Sequence, residues 1–277
     1  MRETLSNRVV IVTGAGRGLG RVMVLALLRE GARVVLTATD GRALAATIQE
    51  AGVRPDRAVS VTADVTVQED LERIVRSAHD AFGRVDVLVN NAGISLNTVR
   101  PDFVGQPIRF WEIEPSTLRR FFEVNSIAPQ ILAGLVVPGM IERGWGRIVN
   151  ITTSLDTMLR LAVYGGSKAA LEAQTASMAT DLAGTGVTAN VLIPGGPAAT
   201  RMTKGLRTSS DLLIKPDVMA APVVWLASDA SNGVTGRRFV AARWDPSLPA
   251  DTAAEAAGAP VAWTGFGHQA IYPSGPR

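Results

Sequence analysis

A short apolar run, followed at once by a glycine-rich turn and an apolar helix pattern, constrains this chain more than any other feature. The run is residues 9–12, and the turn carries Gly14, Gly18 and Gly20. An uninterrupted apolar run is typical of a strand buried on both faces of a parallel sheet. Glycines at these positions permit a tight turn, close approach of the backbone to a diphosphate and close packing of helix on strand. The segment therefore predicts a βαβ unit that binds a dinucleotide at a helix N-terminus.

Three more apolar runs alternate with helix patterns farther along the chain, at residues 33–39, 59–65 and 85–89. This alternation predicts an α/β fold with a doubly wound, Rossmann-type parallel sheet of about seven strands. Ligands of such sheets bind at the carboxyl ends of the strands. We therefore expect Asp64 and residues 90–93 to lie at the ligand-binding edge.

Tyr164 and Lys168 are four residues apart in a helix pattern. Side chains at this spacing share a helix face, with Cβ atoms roughly 5–6 Å apart. A phenol titrates near pH ~10, and a neighbouring ammonium favours its ionised form. Such a tyrosine can exchange a proton with an alcohol or carbonyl oxygen. Thr153 and Ser154 follow the apolar run 148–151, where a hydroxyl could hold the substrate oxygen.

Composition narrows the remaining function classes. The 28 basic and 25 acidic residues give a net charge of +3 and are scattered, so no nucleic-acid partner is expected. With no cysteine and two separate histidines, no metal site is expected. The start of the chain lacks the pattern of a signal peptide, and the apolar run 127–141 is broken by prolines and falls short of about 20 residues. We expect a cytoplasmic protein without a membrane span.

The chain changes character near its end. From Arg243 onward it is rich in alanine, proline and glycine, with four aromatic residues spread through it. We predict one catalytic, dinucleotide-binding domain over residues 1–242 and a C-terminal extension over 243–277. The composition is typical of a flexible tail, although the aromatic residues make partial docking plausible.

Taken together and in order, these motifs resemble the short-chain dehydrogenase/reductase family over residues 6–242. The resemblance rests on the glycine turn, Asp64, residues 90–93, the Tyr164/Lys168 pair and residues 194–195. It implies catalytic roles for Tyr164, Lys168, Asn125 and a hydroxyl at Thr153 or Ser154. It implies that the cofactor contacts Gly14, Gly16, Arg17, Gly18, Leu19, Gly20, Thr39, Asp64, Val65, Asn91, Ala92, Gly93, Tyr164, Lys168, Pro194, Gly195 and Thr200.

The end of the second strand bears on the choice of cofactor. An NAD site usually has an acidic residue there for the ribose hydroxyls, whereas an NADP site accommodates a 2′-phosphate. This chain has Ala38 at that position, followed by Thr39, and Arg17 lies in the phosphate loop. In this half it resembles NADP-using 3-oxoacyl carrier-protein reductases. NADP is therefore favoured, while Asp40 keeps NAD open.

Three further questions stay open at this point. The family's serine position falls on Thr153 in an ungapped match, but a shortened loop would make Ser154 the active hydroxyl, and its less hindered side chain favours Ser154.

The expected activity is hydride transfer between a nicotinamide and a small-molecule carbonyl or secondary alcohol. The alternative is a non-catalytic redox sensor that binds a dinucleotide on the same fold. In the family the helix that carries Tyr164 commonly forms a subunit interface, which implies a homodimer or homotetramer.

Overall fold

Strands and helices alternate along most of the chain in the structure, a computed structural model that describes residues 4–103, 105–203 and 213–263. The strands are β1 (Val9–Thr13), β2 (Arg33–Ala38), β3 (Ala58–Thr62), β4 (Val87–Asn90), β5 (Gly146–Ile151), β6 (Val187–Ile193), β7 (Arg237–Val240) and β8 (Gly258–Pro260). The helices are α1 (Gly18–Arg29), α2 (Gly41–Ala51), α3 (Gln68–Phe82), α4 (Pro115–Phe122), α5 (Ala128–Glu142), α6 (Leu155–Arg160), α7 (Ala162–Asp181), α8 (Ala220–Leu226) and α9 (Ala250–Ala257).

The strands form one sheet in the order β3-β2-β1-β4-β5-β6-β7-β8. Every neighbouring pair is parallel except β7 and β8, which are antiparallel. The doubly wound α/β fold predicted from the alternation of apolar runs is therefore confirmed. The sheet has eight strands, one more than the count of about seven expected for this fold.

Burial on both faces explains why residues 9–12 of β1 are all apolar. Val10 and Val12 belong to a core that includes residues of α1 and α8, while Val9 and Ile11 belong to a second core with residues of α3 and α5. Successive strand residues point to opposite faces, so apolar side chains are favoured along a strand that helices cover on both sides. Helices on both faces thus form three layers with the sheet.

The direction of winding reverses at β1. This strand pairs with β2 on one side and with β4 on the other, and the chain reaches β4 only after it has formed β3. Helices that follow the two halves lie on opposite faces, which leaves a crevice at the carboxyl ends of β1 and β4. The glycine turn after β1 and residues 90–93 after β4 both border this crevice.

Part of the C-terminal extension is ordered and completes the sheet, which the composition did not predict. Helix α9 buries Ala253, Ala254 and Ala257, and β8 then pairs antiparallel with β7. Alanine allows close packing of this short helix. Helix α9 therefore contributes to the core although it has no large apolar side chains. Residues 264–277 of the extension lie outside the described residues.

The apolar run 127–141 lies within a longer helical run, Pro115–Glu142. Pro129 lies in the first turn of α5 and Pro138 lies inside it, yet the run continues for 28 residues. By length and composition it could cross a membrane, but half of its most apolar window is buried inside the protein. Its buried residues, including Leu132 and Val136, belong to the core beside α3. The run is therefore accounted for as a core helix of this fold.

Candidate active site

The glycine turn provides the backbone for an anion site. Gly14 and Gly18 have φ angles of +64° and +54°, which favour glycine. A Cβ on Gly20 would lie 2.2 Å from the carbonyl oxygen of Gly14. Helix α1 begins in this turn, and no side chain of the described residues caps its N-terminus. Its first turn has no acidic residue either. These unpaired N–H groups, together with the small residues around them, fit the diphosphate of a dinucleotide.

The end of β4 is tied to the glycine turn by hydrogen bonds. The Asn91 side chain donates to the carbonyl oxygens of Thr13, at 2.8 Å, and Gly14, at 3.1 Å. The backbone amides of Asn91 and Ala92 both donate to the Thr13 hydroxyl at 2.9 Å. Thr13 thus fixes two segments that border the crevice. No role was predicted for it, although a hydroxyl at the last position of β1, directly before the turn, was the available signal.

Asn125 lies in a π-helical turn, Glu123–Ile127, between α4 and α5. Its side chain accepts a hydrogen bond from the amide of Ile94 at 3.0 Å and donates to the carbonyl oxygen of the same residue at 3.0 Å. It also donates to the hydroxyl of Ser167 at 2.9 Å. Turns of this type are frequent at functional sites because they aim a side chain away from the regular helix register. Asn125 is thereby held against both the loop after β4 and helix α7.

Lys168 extends from α7 to the carboxyl end of β5, where its ammonium donates to the carbonyl oxygen of Ile151 at 2.8 Å. Burial lowers the pKa of this ammonium to about 8. Gly93 lies beside it: a Cβ added there would be 3.4 Å from Lys168 Nζ and 3.1 Å from Asn125 Oδ1. A glycine at this position therefore lets the lysine and the asparagine converge.

Tyr164 is buried on the same helix. It belongs to an apolar cluster with Leu96, Ile108 and Phe121, residues of the long segment between β4 and the end of α4. Burial raises the pKa of its phenol to about 12, and a hydrogen bond with the Thr153 side chain lowers it by less. The sequence predicted a phenol acidified by Lys168. In the protein without cofactor the pKa of the phenol is raised instead. Burial removes the phenolate from water, and this destabilises the phenolate more than the neighbouring groups stabilise it.

The two candidate hydroxyls have different environments. Ser154 caps α6: its Oγ accepts from the amide of Thr157 at 3.1 Å and lies 2.8 Å from the Thr157 hydroxyl. The Thr153 side chain is half-buried and lies close enough to Tyr164 to lower the pKa of its phenol. A serine before a helix is an N-cap by preference, and this use of Ser154 was not part of the sequence prediction.

The turn after β6 also borders the glycine turn. A Cβ on Gly18 would lie 3.2 Å from the Thr200 side chain. Gly195 has a φ angle of +109°, and the carbonyl oxygen of Pro194 accepts from the amide of Ala242 at 3.0 Å. The structure thus brings Thr200 to the glycine turn.

The remaining predicted cofactor residues lie at the ends of β2 and β3. Thr39 and Arg17 are exposed, whereas Asp40 caps α2 by accepting from the amide of Ala43 at 3.1 Å. Asp64 accepts from the amide and hydroxyl of Thr66 at 3.0 and 2.8 Å, and these hydrogen bonds are the main reason that its pKa is lowered. Three more of the predicted residues pack nearby: Gly16 against Ala43, and Leu19 and Val65 against the two cores.

Comparisons with known proteins agree with this geometry. Residues 8–211 match the family model described as short chain dehydrogenase. The chain is 37% identical over 213 residues to the ketoacyl reductase HetN of Nostoc sp. strain PCC 7120, which covers 76% of this chain and 70% of that protein.

Two solved structures are also similar. One is a protein of Beutenbergia cavernae assigned as an NAD(P)-dependent gluconate 5-dehydrogenase, with bound NADP; it is 30% identical, with a TM-score of 0.75, over 87% of this chain and 97% of that one. The other is the 3-ketoacyl-(acyl-carrier-protein) reductase of Brucella melitensis complexed with NADH, 26% identical with a TM-score of 0.73 over 83% and 95%. With its glycine turn, its Tyr164 and Lys168 on one helix and its match to the family model, this chain belongs to the short-chain dehydrogenase family of NAD(P)-dependent oxidoreductases.

Proposed function

We propose that this oxidoreductase reduces a carbonyl compound to a secondary alcohol with NADPH, and that Thr153, Tyr164, Lys168 and Asn125 form its catalytic group. The observation that carries the proposal is the burial of Tyr164 and Lys168 on one face of α7, with the Lys168 ammonium 2.8 Å from the carbonyl oxygen of Ile151, two residues before Thr153. The Thr153 side chain lowers the pKa of the Tyr164 phenol and therefore lies close to it. A phenol and a second hydroxyl placed close together can both bind one substrate oxygen. A site that only binds a dinucleotide has no need for this pair.

The chemistry divides between cofactor and protein. The nicotinamide supplies the hydride for the carbonyl carbon when it is bound. Tyr164, whose pKa is raised to about 12, keeps its proton at neutral pH and donates it to the carbonyl oxygen. Thr153 donates a second hydrogen bond to that oxygen and so orients it. Lys168 contributes positive charge beside the phenolate that remains, and Asn125 holds the loop and helix around it.

The function is tested with a panel of ketones, quinones, sugars and acyl thioesters, assayed by loss of absorbance from NADPH and, in parallel, from NADH. We expect at least one carbonyl class to be reduced with NADPH. A protein that binds NADPH tightly but reduces no member of the panel, and whose binding differs between NADPH and NADP⁺, would favour the redox-sensor alternative instead.

The preference for NADP(H) is supported by charges at the end of β2. Asp40 is engaged as the cap of α2, so its carboxylate already has a hydrogen-bond donor. The Arg17 guanidinium, within the part of the chain that the structure describes, has no ion pair or side-chain hydrogen bond. An unpaired guanidinium in the phosphate loop suits a 2′-phosphate.

Arg17→Ala is therefore expected to raise the KM for NADPH by about 10- to 100-fold, the effect of one hydrogen bond to a charged group. The KM for NADH should stay within about twofold, because NADH lacks the 2′-phosphate. Arg21→Ala is the matched control, since Arg21 lies one turn farther along α1 and is paired with Glu50. Equal changes in both KM values on loss of Arg17 would contradict the assignment.

We also propose that the protein forms a homodimer or homotetramer through α5 and α7. Ile127, at the end of the π-helical turn, and Leu135 and Ile141 of α5 are each more than a third accessible. Most of the exposed residues of α7 are small, among them Gly166, Ala173 and Ser177. An apolar face beside a flat one of this kind is typical of helix packing between subunits.

At micromolar concentration the native protein is expected to sediment as a dimer or tetramer. Ala173→Arg adds a long charged side chain to the exposed face of α7 and should shift the protein to monomer without lowering its melting temperature. A native protein that sediments as a monomer would exclude the proposed interface.

A further inference from the structure

A buried carboxylate, which belongs to none of the sequence motifs, lies on the same face of α7 as the catalytic pair. Glu172 follows Lys168 by one helical turn and Tyr164 by two, and it is fully buried. Three groups donate hydrogen bonds to it: the Thr152 hydroxyl at 2.8 Å, Arg238 Nε at 2.9 Å and the amide of Ala262 at 3.2 Å. We call Thr152, Glu172, Arg238 and Ala262 the Glu172 cluster.

The Glu172 cluster connects to the candidate active hydroxyl through one more contact. Arg238 Nη2 donates to the backbone carbonyl oxygen of Thr153 at 2.9 Å. The segment that leaves β5 is thus held at three successive residues, because Lys168 binds the carbonyl of Ile151 and Glu172 binds the side chain of Thr152. The Thr153 backbone is thus fixed by Arg238 at its carbonyl oxygen.

A buried charge pair of this kind is costly to build. Arg238 and Glu172 have side chains that are 10% and 0% exposed. The desolvation of two charges often outweighs their attraction, so stability alone is a weak reason for such a pair. A planar guanidinium can, however, bridge a carboxylate and a carbonyl oxygen at once in a fixed geometry. That geometry is useful where a neighbouring hydroxyl must be held in position.

We propose that Glu172 and Arg238 are positioning residues that hold the Thr153 hydroxyl in line with Tyr164, and that the C-terminal segment completes this device through the amide of Ala262. The proposal rests on the proposed function of Thr153. Ala262 supports it, since this residue has a φ angle of +61°, an unfavourable backbone conformation for alanine, while its amide reaches Glu172. A part of the extension that is remote in sequence thereby acts on the site.

The test removes the contact with Thr153 without leaving an unpaired buried charge. In the double variant E172Q/R238M both charges are lost together. We expect its kcat to fall about tenfold or more, because small displacements of a positioning group are costly. Its affinity for NADPH, measured by fluorescence titration, should stay within about twofold of the native value, because the cluster lies beyond the hydroxyl rather than at the glycine turn. Arg237→Met is the matched control, since adjacent strand residues point to opposite faces.

The decisive comparison uses a Thr153→Val background, in which the hydroxyl to be positioned is absent. If Glu172 and Arg238 act through that hydroxyl, E172Q/R238M should lower kcat by less than about twofold there, because residues that act as a unit are not additive. Equal losses in both backgrounds, or no loss in the native one, would overturn the proposal. If the double variant does not fold, Arg238→Lys makes the same comparison, since one ammonium cannot bridge both oxygens. A native protein that reduces no carbonyl would instead refute the proposed function.

Discussion

Tyr164→Phe is expected to lower kcat for carbonyl reduction by about 10²- to 10⁴-fold, the contribution of one well-placed general acid. The variant keeps the aromatic ring that packs with Leu96 and Phe121 and removes only the phenolic oxygen. Because that oxygen is buried, its loss also removes a desolvated polar group, so the melting temperature should not fall. Turnover with NADPH and thermal unfolding are measured on the same preparation.

The binding of NADPH separates this chemical effect from damage to the fold. Its dissociation constant in Tyr164→Phe should stay within about threefold of the native value, because the diphosphate binds at the start of α1. Tyr272→Phe is the matched control, since the chain has only two tyrosines, and it should leave kcat unchanged. A Tyr164→Phe protein with substantial residual turnover would contradict the assignment of this phenol as the acid.

The order of the elements could be predicted because a strand that is buried on both faces appears in the sequence as an uninterrupted apolar run. Strands β1, β2 and β4 each contain an uninterrupted apolar run, and glycines mark the turn that follows β1. Strand β8 has no apolar run of this kind: it is three residues long, has no bulky apolar side chain and follows a helix made mostly of alanine. Its place at the sheet edge follows from pairing with β7, which only the folded chain provides.

The candidate site was predictable to the extent that its residues are adjacent in sequence or share a helix face. Tyr164 and Lys168 meet the second condition, since they lie four residues apart on one helix. Arg238 meets neither, because it reaches Thr153 across the sheet from a strand that lies 85 residues farther along the chain. The sign of the shift in the pKa of Tyr164 was also missed, because it depends on how deeply the apolar cluster around Ile108 covers the ring.

The sequence pattern alone could not decide between Thr153 and Ser154, because the choice depends on where the two side chains lie in the folded protein. Both carry a hydroxyl, and the sequence favoured Ser154 for its less hindered side chain. The structure uses the Ser154 oxygen as the cap of α6, where an amide and a second hydroxyl already bind it. We therefore propose Thr153 as the active hydroxyl, in contrast to that preference.

Thr153→Val is accordingly expected to lower kcat by about 10²- to 10³-fold, the usual effect of losing one donor to a developing oxyanion. Valine keeps the branched shape, so the neighbouring residues retain their packing. Thr153→Ser restores a hydroxyl at the same atom position and should retain turnover within about tenfold of the native enzyme, because serine offers the same donor with more rotational freedom. The three proteins are compared by kcat and by the KM for the carbonyl substrate.

Ser154→Ala gives the complementary result. It should leave kcat within about threefold of native but lower the free energy of unfolding by about 1 kcal/mol, since it removes a helix N-cap. The two substitutions thus separate activity from stability at adjacent residues: the first is seen in turnover and the second in denaturant or thermal unfolding. If Ser154→Ala abolished turnover while Thr153→Val remained active, the cap and the active hydroxyl would have exchanged roles, and α6 would have to rearrange when substrate binds.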